Sequence, residues 1–373
     1  MRLSLFLPLM VILILISCNV NVDSEYFKGK IIVNESETET AYVNMKPLCL
    51  YGNNYGELAV YDSLLFFMNP KLDRCFYQIF NVETGEEIGQ YFNKGYGPLE
   101  YIALSPIYHF YKENNELKTL LFAPYQDKLI EWNITLSLKY HKTIIDNEYT
   151  LNWREDNEGA CYNLIYRLNK DLILAKVQTL PINDEEATLP KYQIRYLETN
   201  VLWKEFSSYK LNKFSQSDTW LLPEEVFTSL DAIKPDGSKL CQAMSYLPQL
   251  NIIDLETGEV NGYRVENSNG FVSFEKSDFP ENRFYTRKSQ ADDKYIYSIY
   301  WGKIPWEKDD LNNIPCVDLI HVYNWDGKIV KVIQLDECIN NMFLDRVKNR
   351  LYISSPMNDN INYIELSDLN LYD

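Results

Sequence analysis

The chain offers three histidines for imidazole chemistry, His109, His141 and His321, and none has a partner at ligand or triad spacing. There is no HExxH pair, GxSxG elbow, Walker loop or EF-hand run, so neither a metal nor a cofactor is expected. His109 and His321 lie in strand-like apolar runs (IYHFY and LIHVY), where an imidazole packs or hydrogen-bonds. Gly95-Tyr96-Gly97-Pro98 has the outline of a phosphate loop. It lacks a third glycine and a following lysine, and Pro98 removes a backbone donor that a phosphate cradle needs. Gly95, Gly97, Pro98 and Glu100 therefore read as a structural turn, with Glu100 bonding nearby backbone amides. The acidic clusters Asp184-Glu185-Glu186, Asp292-Asp293 and Asp309-Asp310 could offer oxygens to calcium. They lack alternating ligand spacing and read as solvated loops. Aromatic loops remain: IYWGKIPWEKDD places Trp301 and Trp306 around Pro305, and NWREDNEG places Trp153 beside charge. Exposed rings with polar neighbours suit sugar faces or protein partners. Trp153, Trp301 and Trp306 are thus the candidate ligand-face residues, the alternative being that they pack between sheets. No residue is nominated as catalytic.

The 373 residues are 46% hydrophobic and 24% charged, with 36 Lys+Arg against 53 Asp+Glu, a formal net charge of −17. A chain of this size and aromatic content buries a large core. Its acidity argues against nucleic acid, whose phosphates call for cationic surface. Residues 1–17 read as a signal peptide: Arg2, an apolar run from Leu3 to Ile16, and then Ser17. The run is too short, and too quickly followed by polar residues, for a membrane-spanning helix. Leu15-Ile16-Ser17-Cys18 resembles a bacterial lipobox, so Cys18 is expected to carry the lipid, with residues 18–29 as a tether from an envelope membrane, the outer one by expectation. The other cysteines, Cys49, Cys75, Cys161, Cys241, Cys316 and Cys338, have long irregular spacings and often start apolar runs. They read as free, buried thiols rather than a disulfide framework.

Beyond the tether, short apolar runs rich in Tyr, Ile, Val and Phe alternate with turn residues, which predicts strands. One unit recurs: an apolar run, an acidic or Asn-containing turn, and a second strand. It begins at Cys75, Lys128, Tyr192, Leu250 and Leu319, with a half copy at Ile361. Gly85, Gly258, Gly327 and Asn200 fall where a hairpin needs positive φ. The repeat predicts an all-β fold over residues 30–373: a six-bladed β-propeller of four-stranded antiparallel blades, closure of the ring removing its sheet edges. A pair of β-sandwiches is the alternative, but no linker divides the chain. The last unit ends one strand short, so an N-terminal strand, from residues 30–33 or 41–48, is expected to close the ring beside residues 361–366.

The stretch YDSLLFFMNPKLDRCFYQIFNVETGEEIGQYFNKGYGPLEYIALSP from Tyr61 resembles the opening blade of the TolB-like six-bladed propeller lipoproteins of Gram-negative bacteria, with Gly95, Gly97, Pro98 and Glu100 matching their G-x-G-P-x-E turn. Leu99-Glu100-Tyr101 departs mildly from the Gly-Glu-Phe usual after that proline. IHVYNWDGKIVKVIQLD and RVKNRLYISSPMNDNINYIEL resemble the closing blade. The resemblance implies the fold and an envelope location and brings no catalytic residues. Two functions follow as expectations: a lipid-anchored protein whose propeller face binds a protein or glycan, or a channel enzyme of the glycoside hydrolase or lactonase type, which needs carboxylates converging at the channel mouth.

Overall fold

The alternating runs pair as antiparallel strands in six blades around a central channel, a six-bladed β-propeller. The computed structural model describes residues 27–33, 38–52, 55–151, 160–179, 186–210, 213–215, 227–265, 283–303, 316–357 and 360–371. Blade 1 comprises Glu57–Tyr61, Leu64–Met68, Cys75–Asn81 and Glu87–Lys94. Blade 2 comprises Tyr111–Glu113, Glu116–Ala123, Lys128–Asn133 and Ile145–Thr150. Blade 3 comprises Ala160–Arg167, Leu172–Thr179, Lys191–Tyr196 and Leu202–Phe206. Blade 4 comprises Ser229–Ile233, Lys239–Met244, Gln249–Asp254 and Val260–Arg264. Blade 5 comprises Phe284–Ala291, Tyr295–Lys303, Leu319–Asn324 and Ile329–Leu335. Blade 6 comprises Asn341–Asp345, Arg350–Ser354 and Ile361–Glu365. In each blade the first strand lies innermost. The upper face is the side on which these inner strands begin.

Local chemistry explains the hairpins. Gly85, Gly258 and Gly327 have φ of 75°, 79° and 74°, and Asn200 has 55°, as the repeat predicted. At the equivalent repeat positions Asn81, Asp254 and Asn324, the side-chain oxygen accepts from turn amides two to four residues on, at 2.7–3.2 Å. Blade 2 departs from the pattern. The run ITLSLKY, expected as the hairpin's second strand, is the helix Ile134–Tyr140, and the outer strand comes after it. Asn133 caps the helix through its side-chain oxygen and the Leu136 amide, and His141 ends it at φ 52°. The cap and the left-handed stop override an alternation that fits a strand equally well.

Middle strands are buried on both sides because each blade is sandwiched between neighbours. Trp132, fully buried between blades 1 and 2, has the rings of Phe66, Tyr77, Tyr91 and Phe92 at 5.0–5.9 Å, and its indole N–H donates to Ser137 Oγ at 2.9 Å. One pair of cysteines departs from the free-thiol expectation: Cys316 and Cys338 form a disulfide. They flank the outer hairpin of blade 5, and its pairing brings together ends 22 residues apart in the chain.

The ring is closed from the N-terminus. Lys46–Leu48 pairs antiparallel with the third strand of blade 6, Ile361 opposite Leu48 and Tyr363 opposite Lys46. The earlier N-terminal strands do not share this role. Lys30–Val33 pairs parallel with the outer strand of blade 4, and Thr40–Val43 parallel with that of blade 5. The segment thus binds the outer edges of three consecutive blades. Gly29 brings the belt in: a Cβ there would lie 1.6 Å from the Val260 carbonyl oxygen, and its φ is 81°.

Candidate functional site

An open cleft of about 1240 Å³ occupies the upper face between blades 1, 5 and 6. It is built from three kinds of connection. The lead-ins to inner strands bring Tyr55 and Glu57 from blade 1 and Asn340 and Asn341 from blade 6. Turns between second and third strands add Asn69 and Pro70, then Ser354, Ser355 and Met357. The crossing that leaves blade 1 adds Lys94, Gly95, Tyr96, Tyr101 and Ile102. Blade 5 contributes Arg287 and Lys288 from its inner strand.

The Gly95–Glu100 turn holds that crossing in place. Glu100 folds back so that its Oε2 accepts from the Gly97 amide at 2.9 Å, the Glu100 amide donates to the Gly97 carbonyl at 3.1 Å, and Gly95 N–H donates to Tyr101 O at 3.0 Å. Positive φ belongs to Gly95, at 151°, where a Cβ would lie 2.0 Å from the Glu100 carboxylate. Gly97 has no such angle; a Cβ there would meet the same carboxyl group at 3.1 Å. Between the two glycines Tyr96 stands 90% exposed.

The rings on this face are therefore Tyr96 and the half-exposed Tyr55, over which Lys71 Nζ lies 3.7 Å from the centroid. Trp301 is 7% exposed and packs into the blade 5–blade 6 core, with the Phe284 ring at 6.5 Å and the Arg287 guanidinium over its face at 5.1 Å. Trp153 and Trp306 lie outside the described residues. Sequence reasoning missed Tyr55 and Tyr96. Their signal was an aromatic ring followed by glycine in a surface turn, with adjacent asparagines at the facing lead-in.

The carboxylates along the cleft and the channel beneath it are, among the described residues, Glu57 and Asp231. Glu57 Oε2 lies 3.3 Å from Lys288 Nζ and accepts from Asn341 Nδ2 at 3.1 Å. Asp231 is buried against Lys176 Nζ at 3.1 Å and accepts from Tyr192 OH at 2.9 Å and Ser229 Oγ at 2.6 Å. Both are thus tied to a lysine of another blade, Glu57 of blade 1 to blade 5 and Asp231 of blade 4 to blade 3. Burial, and then the Asp231 charge, push the Tyr192 phenol well above its ordinary pKa. Among the described residues no group of three His, Cys, Asp or Glu is placed to hold a metal ion. His321 is a packed residue, stacked on Tyr300 at 3.8 Å with its Nδ1 3.3 Å from Tyr323 OH, and burial lowers its pKa to about 3. His109 is hydrogen-bonded, its Nε2 accepting from the Arg167 amide at 3.1 Å.

The fold and the face together define a six-bladed propeller with an open polar cleft, whose charged lining residues are Glu57, Lys94, Arg287 and Lys288. Residues 226–346 match the TolB-like 6-blade propeller-like family, in line with the resemblance drawn from the sequence. The match falls on blades 4 and 5 and the inner strand of blade 6, whereas the motifs legible in the sequence lie mainly towards the two ends. A crystal structure of a DUF4221 family member from Bacteroides vulgatus is similar at 13% identity and a TM-score of 0.56, covering 86% of this chain and 94% of that one. A protein from Bacteroides fragilis is similar at 15% identity and a TM-score of 0.47, covering 87% and 88%. No curated protein matches the chain.

Proposed function

We propose that the protein is a lipid-anchored envelope protein whose upper propeller face binds a neutral glycan. The observation that carries this reading is the lining of the cleft: the exposed ring of Tyr96, and Tyr55 with one face under Lys71, share it with Asn340, Asn341, Ser354 and Ser355. Sugars present flat apolar faces between hydroxyl groups, which suit aromatic rings flanked by amide and hydroxyl side chains. The commitment of Glu57 and Asp231 to lysines favours binding over two-carboxylate hydrolysis, which calls for a carboxyl group able to give its proton to the leaving oxygen. The test is a titration of full-length protein with neutral oligosaccharides released from the envelope, followed by tyrosine and tryptophan fluorescence. Saturable binding supports the reading. Co-purification of a stoichiometric protein partner with no glycan binding replaces it by a protein-docking face.

The envelope location draws support from the Leu-Ile-Ser-Cys leader and from the Cys316–Cys338 bond, since disulfides persist in oxidising compartments. Fatty-acid labelling is expected to mark the wild type and not Cys18→Ser. Equal labelling of the two would remove the anchor.

A further inference from the structure

Under the lower face, at the other end of the channel from the cleft, a recess of about 270 Å³ opens against blades 2, 3 and 4. Arg346 enters the same wall from blade 6, one residue past the inner strand Asn341–Asp345. Lys112, Arg167, Lys170, Lys234 and Arg346 thus share this recess with one carboxylate, Glu113, in a chain of net charge −17. Several of these cations are already engaged. Arg167 pairs with Glu131 at 2.8 Å and Glu113 at 3.4 Å, and Lys234 with Asp236 at 2.9 Å. Arg346 differs: among the described residues no hydrogen bond or ion pair reaches its guanidinium, and Asp293 and Asp292 act on it only through space.

His109 supplies an independent feature. Its Nε2 accepts from the Arg167 amide, so the ring proton resides on Nδ1. The residue is 9% exposed, and Nδ1 is buried with no hydrogen-bond partner. A buried donor left unpaired costs its full desolvation, so such an atom in the wall of a cationic recess points to a missing acceptor.

We propose that this recess binds a small oxyanion whose oxygens accept from the His109 Nδ1–H and, as a bidentate pair, from the Arg346 guanidinium. The volume is below the roughly 300–1,000 Å³ of sites for drug-sized ligands, which fits a single phosphate or short carboxylate rather than a nucleotide. Burial, and then the charges of Arg346 and Arg167, hold the His109 pKa down at about 3, so the imidazole acts as a neutral donor. The site is independent of the glycan reading because it lies on the opposite face.

The experiment is calorimetric titration of the full-length protein in neutral detergent at low salt, with inorganic phosphate in one arm and succinate in the other. Saturable binding in either arm is expected, and the arm that responds names the head group. Arg346→Gln is expected to weaken it by about tenfold or more, because the bidentate fork is lost. Lys331→Gln, on the outer strand of blade 5 where Lys331 pairs with the exposed Glu39, is expected to bind within about twofold of wild type. In the wild type, the His109 Nδ1–H NMR resonance should move as the anion is added. The absence of saturable binding in both arms, equal affinity in Arg346→Gln, equal weakening in both variants, or an unmoved His109 resonance would overturn the proposal.

Discussion

Glu100 is short of room, and the shortage is what makes its turn informative. Its carboxylate occupies the space over Gly95 while accepting the Gly97 amide, so a side chain at residue 95 both displaces the carboxylate and must adopt an unfavourable φ. Gly95→Val is expected to destabilise the protein by about 1–3 kcal/mol and to move Tyr96. Gly97→Ala should cost less, because only a tight contact has to relax; thermal unfolding of the two variants compares them, and an equal loss would place the strain elsewhere. The turn motif was legible in the sequence, but the division of labour between its glycines was not, because φ depends on where Glu100 folds back. Buried histidines set a pH response whose sign follows from their environment. His321 is held at about 3, below the roughly 6.5 of an unfolded histidine, so between those values the unfolded chain binds more protons. Its contribution to stability is complete above about pH 6.5 and is lost as pH falls towards 3, with a limiting slope of about 1.4 kcal/mol per pH unit. Denaturant unfolding between pH 7 and 4 should show a shallower acid loss in His321→Phe than in wild type. Parallel curves would mean that His321 is protonated in the native state.

At the scale of elements, the outer hairpins were the most legible part of the fold because turn chemistry and alternation agree there. Asn81, Asp254 and Asn324 fold their side chains onto turn amides, and Gly85, Gly258 and Gly327 supply the positive φ. Blade 2 was misread where two periods fit one string, and the outcome rests on the Asn133 cap. The Cys316–Cys338 bond was equally hidden, since a 22-residue separation says nothing about which ends a hairpin brings together. The N-terminal belt shows the reverse case. An unfinished last blade called for a strand, and Lys46–Leu48 supplies it. That Lys30–Val33 and Thr40–Val43 run parallel along blades 4 and 5 was not legible, because short strands with half-exposed patterns carry no partner information. Removing residues 24–50 exposes the edges of three blades and withdraws Phe27 from its contacts with Tyr209 and Phe227. Chemical denaturation of that truncation is expected to be non-cooperative. A wild-type midpoint and slope would show that the belt is dispensable.

For the whole molecule, the propeller separates two surfaces that share a channel but not a chemistry. The upper cleft is wide and mixes aromatic, amide and hydroxyl side chains with a few charges, while the lower recess is small and cationic within an acidic chain. Between them the channel wall carries Asp231 locked to Lys176, which joins blade 4 to blade 3 at the cost of dehydrating both charges. The placement of the cleft was not legible in the sequence, because its residues come from blades 1, 5 and 6, up to 306 residues apart between Tyr55 and Ile361, and only closure of the ring brings them together. The exposed rings on this face are not the anticipated ones: Trp301 packs in the core against Phe284 and Arg287, while Tyr96 stands outside between its flanking glycines. Whether the upper face binds glycan is decided by the oligosaccharide titration repeated on full-length Tyr96→Ala. Tyr96 is almost fully exposed, so its removal should leave the melting temperature within about one degree of wild type, as expected for a surface change. Affinity for the neutral glycan is predicted to fall about tenfold, the loss of one stacking platform; unchanged affinity in this folded variant would contradict the assignment of the upper cleft as the binding site.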